Sequence, residues 1–249
     1  GSNNVAIGQN TLEANTTASN NTAIGYEAMK ANTTGADNTA VGQGALDAST
    51  IGNDNVAVGK NALGAQTTAS QNIAIGDNAL VSSQTGSTAL AIGYAAADAW
   101  VGAYSIMAIG HASLGACTTG VNNTAVGRNS MSVLTTASEN TALGNMTMQA
   151  STTASSCTAV GSNALYYNTT GSSHTAFGKD ALNNNTTGNN NTALGTDALQ
   201  ANTTGSNNVA VGLNALFTSN ADNNIAIGVD AGRLNTTGND NVAVGRNAL

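Results

Sequence analysis

With 249 residues, charged side chains at 8%, aromatics at 3%, no proline and a net charge of −7, the chain is poor in the groups that bind polyanions or perform acid–base chemistry. Its six Lys and Arg residues form no patch, which argues against nucleic acid and anionic membranes as partners. Periodic Val, Ile, Leu and Ala argue against disorder, no apolar run is long enough to span a bilayer, and no signal peptide is visible.

The first element is Asn4-Val5-Ala6-Ile7-Gly8, and it returns to the end of the chain. Its glycine recurs at Gly8, Gly25, Gly42, Gly59, Gly76, Gly93, Gly110, Gly127, Gly144, Gly161, Gly178, Gly195, Gly212, Gly228 and Gly245. The spacing is 17 residues, with one 16-residue step between Gly212 and Gly228. Fifteen copies at a fixed period define a repeat architecture, so residues 1–249 read as a single repeat domain. The chain starts and stops inside the unit without a capping repeat, as expected of a window cut from a longer fibre.

Each copy opens on a predicted strand. Ala stands two before the glycine in all fifteen copies, an apolar residue stands directly before it, and Thr or an apolar residue stands three before it. Asn stands four before it in eleven copies, with Ala89, Ile106, Cys157 and His174 as exceptions. Short, β-branched and bounded by Asn and Gly, such segments are strands. Alternation puts the Thr/Val and Val/Ile columns on one face and Ala on the other. Unvarying Ala implies close packing there, against either the opposite wall of the same coil or a neighbouring chain.

After the glycine comes a hypervariable, solvent-facing position, then Asn or Asp, Ala and Leu, as in Asn61-Ala62-Leu63. The Leu column is interior; the Ala-Leu pair fits a second short strand or a single helical turn. The unit closes on a corner such as Asn202-Thr203-Thr204-Gly205, where stacked Asn and Thr predict hydrogen-bonded ladders. One rung per repeat predicts an all-β parallel roll or solenoid, a rod of about 70 Å at about 4.8 Å per rung.

Catalysis and cofactors are not expected. His111 and His174 lie in different columns almost four rungs apart, which disfavours a shared metal or a catalytic pair. Carboxylates recur near the corners (Asp37, Asp54, Glu139, Asp240) and after the glycine (Glu27, Asp180, Asp197, Asp230), as solvated turns favour. Cys117 and Cys157 sit in different columns more than two rungs apart, beyond disulfide reach, and read as free. Asn15, Asn32, Asn168, Asn185, Asn202 and Asn235 each begin an Asn-Thr-Thr sequence that meets the N-glycosylation pattern, although turn and ladder bonding also accounts for them. The stretch from Ser87 to Gly115 departs most from the pattern, and Tyr94, Trp100 and Tyr104 there form a candidate docking patch for sugar or protein, with repeat drift as the alternative.

The Asn-Val-Ala-Ile-Gly and Asn-Thr-Ala-Val-Gly cores resemble the head repeats of trimeric autotransporter adhesins. The full unit from Asn191 to Gly205 resembles repeats of phage and bacterial tail-fibre-like proteins. The resemblance covers the whole chain and implies a left-handed, homotrimeric β-roll: an extracellular, cell-surface or virion-tail shaft displaying a tip that binds a host-surface glycan or protein receptor. A glycosylated extracellular filament is compatible with this. A Thr-ladder solenoid that binds ice or another ligand is a different reading, weakened because adjacent Thr-Thr side chains point to opposite faces of a strand.

Overall fold

The computed structural model describes residues 1–102 and 105–249. Among them every regular element is a strand. They are β1 (Val5–Ile7), β2 (Thr22–Ile24), β3 (Thr39–Val41), β4 (Val56–Val58), β5 (Ile73–Ile75), β6 (Leu90–Ile92), β7 (Ile106–Ile109), β8 (Asn123–Val126), β9 (Thr141–Leu143), β10 (Thr158–Val160), β11 (Thr175–Phe177), β12 (Thr192–Leu194), β13 (Val209–Val211), β14 (Ile225–Ile227) and β15 (Val242–Val244). The chain forms two compact units, Gly1–Asn123 and Thr124–Leu249, both built from the same rung.

In the first unit each strand pairs in parallel with the next, so that Val5, Ala6 and Ile7 face Thr22, Ala23 and Ile24, and so on to β7. The second unit repeats the arrangement from β8 to β15. Each repeat thus contributes one strand to a parallel β-solenoid with a 17-residue period, as the columns predict. The 16-residue step leaves the register intact, because Val209, Ala210 and Val211 still face Ile225, Ala226 and Ile227. Its missing residue comes out of the Thr-Thr corner, where Asn220 alone lies between buried Ser219 and Ala221.

The Ala column lies inside the coil: from Ala23 to Ala226 these side chains are fully buried. Of the two environments that would keep it small, the opposite wall of the same coil is the one found. Leu46, Leu63, Leu165, Leu182 and their equivalents fill the space facing it. The Ala-Leu pair is neither a strand nor a helical turn. In the second repeat Ala28 N donates to Gly25 O and Lys30 N to Glu27 O, closing two overlapping tight turns. Glu27 and Met29, third in each, have φ of 57° and 50°. That left-handed conformation suits the Asn, Asp or Glu column, and burial of the large side chain offsets its cost in the Leu column.

Between these turns, alternate amides bond to neighbouring rungs, as in Glu27 N to Gln9 O and Met29 N to Ala45 O. Two side-chain ladders complete the satisfaction of buried backbone. In the Asn column before the strand, Asn21 Oδ1 accepts from Asn38 N at 3.0 Å while its Nδ2 donates to Gly35 O at 2.9 Å. At the corner, the first Thr of each pair donates to the next rung, as in Thr33 Oγ1 to Thr50 O and Thr186 Oγ1 to Thr203 O, both at 2.9 Å.

Candidate functional site

The residues singled out from the sequence separate into interior and exterior sets. His174 is buried in the Asn column and takes over an Asn's bonds. Asn191 N donates to its Nδ1 at 3.2 Å, so the neutral ring carries its proton on Nε2, beside the Gly188 carbonyl and 3.1 Å from the Asn185 amide. Burial is the leading reason its pKa falls to about 4. His111, by contrast, is exposed and stacks on Tyr94 with ring centroids 5.2 Å apart. The two histidines are not brought together. Cys117 and Cys157 are buried and free, and burial pushes both thiols up to about 11, far from a reactive thiolate.

An acid-stability test follows from His174. Its folded pKa lies below the unfolded value, so the neutral ring's stability is fully present above about pH 6.5 and is lost as pH falls through 6.5 towards about 4. Denaturant unfolding at pH 7.5 and pH 4 should show a loss of at most roughly 3 kcal/mol that His174→Asn, which restores the column's usual residue, does not share. Equal acid sensitivity in the two proteins would show that His174 carries none of it.

The carboxylates occupy left-handed turn positions: Asp37, Asp54, Glu139 and Asp240 have φ between 57° and 63° and are exposed. Among the described residues no three His, Cys, Asp or Glu side chains gather as metal ligands. Asn32, Asn168, Asn185 and Asn202 are buried, and their Nδ2 groups donate to Gly35, Gly171, Gly188 and Gly205 carbonyls at 2.8–3.1 Å. A glycan on any of these four would have to replace that bond from inside the coil. Asn15 and Asn235 are half-buried, with the same bond to Ala18 and Gly238.

The exposed aromatic patch is corrected at Trp100. Its side chain is fully buried at the corner, in the column that holds Asn32 and Asn202, so it offers no docking surface. Tyr94 is exposed; Tyr104 lies outside the described residues.

The surface that sequence reading did not assign a role is the outer strand face. In the columns one and three before the glycine, from Val5 and Ile7 to Val242 and Val244, no side chain is buried. Ile75 is 38% exposed, Ile227 43% and Phe177 58%. Each unit therefore carries a two-column apolar and Thr ribbon that holds no charged side chain, whereas other columns, such as the one holding Lys60, Asp77 and Arg128, do. Fold and surface together define a β-solenoid repeat protein. A comparison with protein-family models and with curated proteins finds no match.

Proposed function

We propose that the chain is a structural segment of an extracellular fibre, an adhesin or tail-fibre shaft, whose copies associate as a homotrimer and which performs no catalysis. The observation that carries this reading is the outer ribbon. A solvated β-face tolerates free polar variation, yet here both columns hold only Thr and apolar residues in every repeat while the next column varies freely. A ribbon with this rung spacing is matched along its length by another copy of itself. The left-handed coil and the display of a receptor-binding tip remain part of the proposal through the repeat's resemblance to adhesin and tail-fibre units.

Light scattering on the native protein tests it. The expected mass is three times the 24.4 kDa chain, falling to one chain when Val58→Lys and Ile75→Lys put charges on the ribbon. A single-chain mass for the unaltered protein overturns the reading.

A further inference from the structure

One cleft of the second unit breaks the repeat pattern. It spans about 380 Å³ over Met146, Asn163 and Asp180, which share a column on three successive rungs, and is walled by Tyr166, Tyr167 and Asn183. Tyr167 stands where the adjacent rungs carry Ala150 and Asn184 and most other rungs carry Ala, and it is 52% exposed. Tyr166 meets it edge-on, with centroids 4.5 Å apart and planes at 74°. The Asp180 carboxylate is held in place: Oδ1 accepts from Asn163 Nδ2 at 3.0 Å and Asn183 Nδ2 at 3.3 Å, and Oδ2 lies 3.2 Å from Lys179 Nζ.

We propose that this cleft binds a single pyranose unit of a glycan. A pyranose has an apolar C–H face that lies against an aromatic ring and hydroxyls around its edge that need both donors and acceptors. Tyr167 supplies the ring, steadied by Tyr166. Asp180 retains acceptor capacity beyond the bonds it already makes, and the Lys179 ammonium, largely solvent-exposed, supplies donors at the rim. The volume lies within the range of about 300–1,000 Å³ of small-molecule sites. Asp180 is the one carboxylate in the lining, whereas glycoside hydrolysis usually takes two, so the cleft binds the sugar without cleaving it. This deepens the fibre reading and rests on it only for the source of the glycan.

Saturation-transfer NMR with methyl glucoside, galactoside, mannoside and N-acetylglucosaminide tests the site directly. At least one glycoside should receive saturation on its ring C–H protons, with a Kd on the order of 1 mM. The signal should vanish in Tyr167→Ala, which installs the residue that most rungs carry in this column and so preserves the fold, and persist in Tyr94→Ala. No transfer to any of the four, full transfer in Tyr167→Ala, or loss in Tyr94→Ala overturns the proposal. Native mass decides the fibre reading separately.

Discussion

Trp100→Ala is expected to destabilise the first unit by about 3–5 kcal/mol, read as a lower urea midpoint. The indole fills a corner position that elsewhere holds Asn, Ser, Gln, Cys or Leu, and it is fully buried. Two glycines make room for it. A Cβ on Gly86 would overlap the ring, and one on Gly102 would lie 2.8 Å from Nε1. Truncation would leave a void between closely spaced rungs that backbone ladders prevent from collapsing, so the cavity cost is retained. Nε1 finds no acceptor among the described residues, so part of the loss is offset when that buried donor goes. Tyr94→Ala, six residues away and exposed, should change stability by less than about 0.5 kcal/mol. Equal effects for the two would mean that Trp100 is not packed in the coil.

These two aromatics also mark what the sequence can and cannot convey. A fixed period makes columns legible, and columns suffice for strand placement, register and the interior Leu, because stacking forces equivalent residues into equivalent environments. A residue that departs from its column has lost that guide. Trp100 therefore reads as a surface anomaly when it is a core substitution, and its partners Gly86 and Gly102 look like ordinary corner glycines. The Ala column poses a different difficulty, since the far wall of a coil and an adjacent chain both demand small apolar side chains. Finding Ala23 through Ala226 inside transfers the question of contact between copies to the Val, Ile and Thr columns. The left-handed Leu positions were not legible because Leu has no intrinsic preference for φ above zero; burial, a tertiary effect, holds Met29 and Leu63 there. The Asn-Thr-Thr corner shows the same limit, as one tripeptide describes either an exposed acceptor or an inward-facing Asn bonded to Gly35 or Gly205.

Substituting a repeat glycine should be as damaging as emptying the Trp100 corner. Gly161→Ala is expected to lower the stability of the second unit by about 3 kcal/mol or more, from two independent causes. Gly161 has φ of +127°, where an L side chain is strained. Its added Cβ would also sit 2.5 Å from Gly178 O on the next rung, backbone against backbone, so a rotamer change cannot relieve the clash. Relief would require these two rungs to separate, breaking the bond from Gly178 N to Val160 O that joins them. Because each rung is stabilised by its neighbours, amide exchange should quicken on both sides of the substitution. Gly64→Ala is the informative contrast. Gly64 lacks the left-handed φ, and its column carries Glu13, Lys30 and Asp47 in other rungs, so its cost should stay below about 1 kcal/mol. If both substitutions were mild, rung spacing and φ would not be what restricts this column to glycine, and the stacked coil itself would be in question.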